Sequence, residues 1–476
     1  MLKFSRACPR VNIGTKTLFS LTPMEHTLLR ICFESRGFMS QRSGSGRVLT
    51  LSTFAFTLMF AVWLMFGVLG IPIQKEFGIS DSQLAWLSSV AILNGSIWRL
   101  LLGILADRVG GKKVTVVMLL VTSIPAYLLA HIELTYTWLL VLAFFVGFAG
   151  NLFSVGIAWN SHWFDRNRQG FALGVFGAGN VGASATKFIG PVVIVSTIGG
   201  SYLGGIIPGG WRFVPALYSV LLILTAFAIL FFTPADSENL QASRPLRQMF
   251  APLKYLQVWR FSFYYVIVFG AYVALASWMP KYYVSVYGLE LQNAAFLTAL
   301  FIFPASLLRP LGGYISDKMG ARRLMYGTFL SMLIALLFLA APFGYIVLNT
   351  PDGPKEVLPY SLGVVPFTAL LFVVGCSMGI GKAAVFKHIP EYFPNDVGAV
   401  GGLVGTLGAL GGFLLPPLFV YVRDWTGLPQ STFIVLFLLT LIATVWMHVV
   451  IVKMLHKASP TLKNQIDYDN SQMNGD

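Results

Sequence analysis

Residues 95–113 read GSIWRLLLGILADRVGGKK, and residues 305–323 read ASLLRPLGGYISDKMGARR. Each stretch places an arginine, Arg99 or Arg309, inside a long apolar run. Each follows it eight residues later with an aspartate, Asp107 or Asp317, in a glycine-rich basic turn. The first turn carries Arg108, Lys112 and Lys113, the second Lys318, Arg322 and Arg323. An arginine in hydrocarbon is expensive, so it marks a functional site by default. Two of them at matching places in two copies of one pattern point to one site shared by the copies.

The rest of the chain agrees with a membrane setting. Of its 476 residues, 56% are hydrophobic and only 11% charged, a balance foreign to soluble domains. Apolar runs long enough to cross a bilayer recur throughout, which makes the chain an all-α, polytopic membrane protein. The 47 glycines suit closely packed transmembrane helices. Cys8, Cys32 and Cys376 have no paired spacing, so neither a disulfide framework nor a metal site is read, and no motif calls for a cofactor. The net charge of +14 does not imply nucleic acid, because it lies in the N-terminal segment and in short loops that orient helices.

Hydropathy and loop punctuation give twelve spans: 48–71, 83–106, 113–132, 137–160, 169–197, 213–234, 259–285, 291–316, 323–343, 359–386, 397–423 and 429–454. A charged connection at 235–258, with Arg244, Arg247 and Lys254, separates bundles 48–234 and 259–454. Residues 1–47 are basic and aperiodic. Residues 1–38 are read as an extension ahead of a natural start at Met39, with a cytoplasmic tail or a targeting peptide as alternatives. Residues 455–476 read as a polar tail. Cations gather in the turns on one side, which the positive-inside rule makes cytoplasmic, along with both termini.

The halves repeat elsewhere too. Residues 163–191, WFDRNRQGFALGVFGAGNVGASATKFIGP, align with residues 392–417, YFPNDVGAVGGLVGTLGALGGFLLPP, across a one-residue gap. Gly170, Gly174 and Gly177 then match Gly398, Gly402 and Gly405, and Asn180 matches Gly408. Duplicated six-helix halves suit a carrier that rocks about a midplane site.

At 1.5 Å per residue, Arg99 and Arg309 lie ~12 Å short of their aspartates, near the bilayer middle. No Asp or Glu falls inside any of the twelve spans, so neither guanidinium has an acidic partner there. A small anion from solution is the economical counter-charge, and the planar fork of arginine suits planar oxyanions. Glycines spaced as GxxxG (Gly170/Gly174, Gly398/Gly402, Gly401/Gly405, Gly408/Gly412) allow close approach to a ligand or simply to another helix. Asn180 offers an amide to an anion or to a neighbouring helix.

The basic turns after helices two and eight resemble the loop motif of the major facilitator superfamily, over roughly residues 48–454. That resemblance implies two pseudo-symmetric six-helix bundles and alternating access, with Asp107, Arg108, Asp317 and Lys318 as a conformational latch. An ordinary charged turn is the alternative reading of these four. GAGNVGASATKFIGP, the paired arginines, the YxxxFG of Tyr265, Phe269 and Gly270, VLTLSTFAFTLMFAVW on helix one and GFAGNLF on helix four resemble the nitrate/nitrite porter family. This resemblance implies a transporter, not an enzyme, in the bacterial inner membrane. Nitrate, and also nitrite, would sit between Arg99 and Arg309. Tyr265 would donate a hydrogen bond, and Asn180, Gly177, Gly179, Gly405 and Gly408 would line the site. Phe60, Phe153 and Phe269 would wall it, although aromatics pack helices anyway. Gly408 in place of a second asparagine departs from the pattern and puts an amide contact from helix eleven in doubt.

Two modes of coupling are open. One is exchange of nitrate for nitrite. The other is proton symport, toward which the TKFIGP and KHIPEYFP wording leans. Its candidate proton carriers are Lys187, His162 and His388. Lys187 could instead face an outer vestibule and steer anions, and the two histidines could be interfacial. Lys382 is expected to snorkel at the end of helix ten. A carrier of another small anion is the second functional reading and a membrane receptor the third. An enzyme has no support, since neither nucleophile elbow nor phosphate loop is present. The chain is expected to act as a monomer.

Overall fold

The computed structural model describes residues 44–164, 166–236, 246–350, 353–394 and 396–458. The readings of residues 1–43, of Arg244 and of the tail beyond residue 458 lie outside the described residues. Ten helices are long and apolar enough to cross a membrane, or twelve if each of two bent pairs is one span. In chain order they are α1 (Ser45–Phe77), α2 (Asp81–Ile97 and Arg99–Val109), α3 (Gly111–His131), α4 (Tyr136–Trp163), α5 (Ala172–Ser196) and α6 (Gly210–Phe232). The second half holds α7 (Leu256–Tyr287), α8 (Leu291–Leu307 and Arg309–Met319), α9 (Ala321–Ala340), α10 (Val364–Tyr392), α11 (Val397–Thr426) and α12 (Ser431–Lys457). This is the expected all-α, two-bundle architecture.

The bends fall on the arginines. α2 turns by 40° and α8 by 43°, with the break immediately before Arg99 and Arg309. Each half prepares its bend alike. Ser96 Oγ donates to the Ile92 carbonyl (2.7 Å) and Ser306 Oγ to the Ile302 carbonyl (2.9 Å). Such back-bonding bends helices. In α8, Pro304 and Pro310 flank the break, and proline both lacks a donor and crowds the preceding turn. In α2 the side chain of Arg99 itself enters the ladder, its Nε–H donating to the Gly95 carbonyl at 2.8 Å.

Glycine sets the spacing of the first bundle. An added Cβ on Gly150 would lie 2.5 Å from Trp63, and one on Gly95 or Gly147 would strike Trp63 or the backbone of Ala91. The indole of Trp63 fills that space and donates to the Ala91 carbonyl at 3.1 Å. Gly110 takes a left-handed φ of 102° at the α2–α3 turn. Asp236 closes that turn, accepting from the Lys112 backbone N–H and from Trp159 Nε1, both at 2.9 Å.

One span starts later than the sequence suggests. Residues 344–350 and 353–360 form an antiparallel hairpin, and α10 begins at Val364, not at 359. Gly363 stands at the helix start in extended backbone, and Pro366 sits in the first turn, where its missing N–H costs nothing.

Candidate functional site

The bends bring Arg99 and Arg309 against one ring. The Cζ of Arg99 lies 5.7 Å and that of Arg309 5.0 Å from the centroid of Phe153 on α4. Arg99 also lies 5.1 Å from Phe269 and 5.1 Å from Trp63, and Arg309 lies 5.5 Å from Phe386. These aromatic faces are attractive to cations but replace little of the lost water. Arg99 is 1% exposed, and its Nη1 and Nη2 have no hydrogen-bond partner among the described residues. Arg309 Nη1 is likewise buried and unpartnered. No carboxylate forms an ion pair with either arginine among the described residues. The acidic groups that are paired there, including Glu76, Asp81, Asp107 and Asp317, sit in the end turns of helices.

Five of the helices around these guanidiniums depart from ideal geometry near the site, the bent α2 and α8 among them. α4 tightens into a 3₁₀ turn at Phe148–Asn151, just before Phe153. α5 does so at Gly179–Val181, around Asn180. α7 widens into a π turn at Val266–Gly270, directly after Tyr265. Such π turns collect at functional sites because they re-aim side chains. Tyr265 and Phe269 stack with centroids 4.9 Å apart, and Tyr265 is fully buried.

The glycines divide into different jobs. At Gly177 an added Cβ would lie 3.4 Å from Arg309 Cδ, so α5 is smooth where the arginine crosses from the other bundle. At Gly405 the nearest atom would be Phe386 at 4.0 Å, leaving room beside the site. Gly179 faces away, against Phe56 (2.6 Å) and Thr57 of α1, so its missing side chain does not line the site. Gly408 makes room for the ring of Tyr265, whose Cβ an added Cβ would meet at 2.7 Å. The absent second asparagine is therefore a packing requirement of Tyr265. Asn180 is 1% exposed with both amide atoms unpartnered among the described residues.

Several expectations need correction. Phe60 packs on Phe56 and Trp63, at 5.6 and 5.3 Å, and the ring of α1 near Arg99 is Trp63. Trp63, one helical turn on, holds the wall position instead. Lys382 does not snorkel, since it is fully buried. Its Nζ donates to the Ala305 carbonyl at 3.0 Å and sits 3.2 Å from the centroid of Tyr272. α10 runs on to Tyr392, which buries Lys382 ten residues deep, and Lys382 becomes a third basic side chain beside Phe269 (5.7 Å). His388 is 3% exposed, covered by protein about one turn before the end of α10, and its Nδ1 is 2.8 Å from the Ala384 carbonyl. Lys187 is 1% exposed with an unpartnered Nζ among the described residues, so it does not face an open vestibule.

The loop aspartates pair across helices in the same way in both halves. Asp107 meets His162 of α4 at 3.0 Å, and Asp317 meets Lys387 of α10. His162 thus acts as a pairing group at the helix end. Neither partner was legible from the loop motif, because the α4 and α10 ends differ in sequence.

Two bundles of membrane-spanning helices that share a buried pair of arginines describe a membrane carrier. Residues 51–416 match the family described as Major Facilitator Superfamily. The chain is 64% identical to the probable nitrate/nitrite antiporter NarK1 of Thermus thermophilus, over 88% of this chain and 95% of that protein. It is 31% identical to the probable nitrate transporter NarT of Staphylococcus carnosus (strain TM300), over 85% and 96%. Among solved structures it is similar to a bacterial homologue of the human lysosomal transporter Spinster, inward-facing and unoccupied. There the TM-score is 0.63 at 16% identity, covering 85% of this chain and 96% of that one. It is also similar to a point mutant of the nucleoside transporter NupG, with a TM-score of 0.61 at 14% identity, covering 85% and 99%. The chain belongs to the nitrate/nitrite porter family of the Major Facilitator Superfamily, a family of transporters and not of enzymes.

Proposed function

We propose that this protein moves nitrate and nitrite across the cytoplasmic membrane by alternating access, with the anion held between Arg99 and Arg309. The observation that carries this reading is the pair of terminal Arg99 nitrogens, buried and unpartnered among the described residues. A buried charge without a partner costs several kcal/mol, about 3–5 when one member of a pair is missing. A planar monovalent anion satisfies two forks at once through charge-assisted hydrogen bonds. Aromatic walls favour weakly hydrated nitrate over strongly hydrated divalent anions. Tyr265 and Asn180 supply further donors. The basic turns at Lys112–Lys113 and Arg322–Arg323 lie on the cytoplasmic side by the positive-inside rule, with both ends of the chain.

Exchange of nitrate for nitrite is the mode the geometry supports best. Without intramembrane carboxylates, a carrier whose centre holds Arg99 and Arg309 has no internal counter-charge for the empty switch. A bound anion lowers that cost in both directions. The name of the Thermus thermophilus relative agrees with exchange. Proton symport remains the second reading, favoured by buried Lys187, which can bind a proton as the anion enters. Proteoliposome uptake of labelled nitrate decides. Exchange expects acceleration by internal nitrite, and symport expects acceleration by an inward proton gradient alone. Uptake of neither nitrate nor nitrite would overturn the reading.

A further inference from the structure

On the face opposite the basic turns, the two bundles are joined by one carboxylate. Asp81, at the start of α2, lies 2.8 Å from Arg423 Nη1 of α11 and 3.1 Å from Lys281 Nζ of α7. Gln74 Nε2 of α1 donates to the same oxygen as Lys281, at 2.8 Å, and Lys281 Nζ also donates to Gln74 Oε1 at 2.9 Å. Asp81 and Gln74 belong to the first bundle, Lys281 and Arg423 to the second. The two cations also line a cavity of about 400 Å³ with Trp278, Tyr282 and Gln430, on the second bundle's side of the joint. The guanidinium of Arg423 lies 6.0 Å from the centroid of Trp278.

We propose that Lys281 and Arg423 form an outer binding site for a small planar monovalent oxyanion, which Asp81 occupies as a tethered substitute while the outer entrance is closed. A carboxylate presents two oxygens in a plane with one negative charge, as nitrite does, and nitrate has the same charge and planarity. Arg423 on one oxygen and Lys281 on the other is the contact set such an anion would take. When the bundles part, Asp81 leaves with α2 and the two cations stay together on the second bundle, Arg423 keeping Asp424 on its Nε (3.0 Å) and Nη2 (2.8 Å) while its Nη1 is freed beside Lys281. Their field attracts incoming anions. An anion bound there competes with Asp81 and so favours the open state by mass action. The choice of anion rests on the transport reading above, whereas the clamp rests on its own geometry.

The test uses the full chain with Cys8, Cys32 and Cys376 replaced by serine and with Ser88→Cys, a buried position in the small space behind the clamp that Lys281 and Trp278 also line. In proteoliposomes, a membrane-impermeant maleimide reports opening. Nitrite or nitrate, against sulfate at equal ionic strength, should raise the labelling rate severalfold. The rise should persist when Arg99→Met and Arg309→Met disable the central site. Lys281→Met should remove most of the anion effect, and Asp81→Asn should label fast without added anion. An anion effect that disappears with the central arginines, or that survives Lys281→Met unchanged, overturns the proposal. If Lys281→Met fails to fold, Asp81→Asn, which keeps the packing, decides alone: slow labelling refutes the clamp. Failure of the parent chain to take up labelled nitrate would instead sink the transport reading and leave the labelling result to judge the clamp.

Discussion

At the scale of single residues, function comes down to what surrounds two guanidiniums. Arg99 has one nitrogen on the Gly95 carbonyl and two terminal nitrogens without partners among the described residues. Arg99→Lys keeps the charge but loses the fork and the hold on Gly95. A hydrogen bond to a charged group contributes about 1.5–3 kcal/mol. Nitrate uptake should therefore fall about 10–100-fold while the amount of folded protein in membranes stays normal. Wild-type uptake would mean that the anion binds elsewhere. Lys382 makes a sharper test, because a snorkelling lysine would be dispensable. Buried against Ala305 and Tyr272, it brings an amine donor beside the chamber. Lys382→Met preserves length and should raise the KM for nitrate about tenfold with little loss of thermal stability. The arginines were legible in the sequence because charge inside an apolar run is conspicuous. Lys382 was equally visible but misplaced by its distance from a helix end that the sequence set six residues too early, at 386 and not Tyr392. Trp63 was missed because the choice between Phe60 and Trp63, three positions apart on one helix, depends on the rotation of α1, which the two glycines Gly95 and Gly150 fix from other helices.

At the scale of elements, the site consists of interruptions. α2 and α8 break before their arginines, α4 and α5 tighten, and α7 widens. Hydropathy finds spans but carries no information on these defects, so the twelve spans were readable and the bends were not. Their signs are local: Ser96 and Ser306, three residues ahead of the arginines, and the prolines of α8. The hairpin before α10 escaped for a related reason. Residues 357–362 are apolar enough to extend a span, and only Pro359 and Gly363 mark the stop. The glycines of α11 allow a paired test. Gly408→Ala drives a methyl into the rigid ring of Tyr265, with no flexible atom to yield. Gly405→Ala meets only Phe386 at 4.0 Å. Gly408→Ala should abolish most transport or cost about 1–3 kcal/mol of stability, whereas Gly405→Ala should fold normally and alter KM only modestly. Equal effects in transport and thermal unfolding assays would show that these glycines serve helix packing in general and not the placement of Tyr265.

At the scale of the whole molecule, the two halves present similar ends on the basic face and a shared clamp on the other. Asp107–His162 and Asp317–Lys387 each tie a bent helix to a neighbour within its own bundle, so they stiffen bundles that move as units. Asp81 instead joins the bundles, so its partners must separate for the entrance to open. This assigns different kinetic signatures to the two kinds of pair. A pair formed in both end states stabilises them alike and leaves their balance unchanged, whereas a pair formed in one state alone biases the equilibrium by its full differential energy. For a half-exposed charge pair that energy is about 0.2–1 kcal/mol, and more where several groups form a network. Arg423→Met removes the shorter of the two ion pairs of a bridge formed in one state only and leaves Lys281–Asp81 in place. It should shift the resting balance toward the outward-open form, seen as faster outside labelling of a cysteine behind the clamp, and it should slow the return step of nitrate–nitrite exchange. Lys387→Met breaks a pair within the second bundle. It should lower the thermal midpoint by a degree or two and leave outside labelling unchanged. If Lys387→Met moved the labelling rate as much as Arg423→Met does, Asp317 would belong to a joint between bundles, and rigid-body rocking about the paired arginines would have to give way to motion within a bundle.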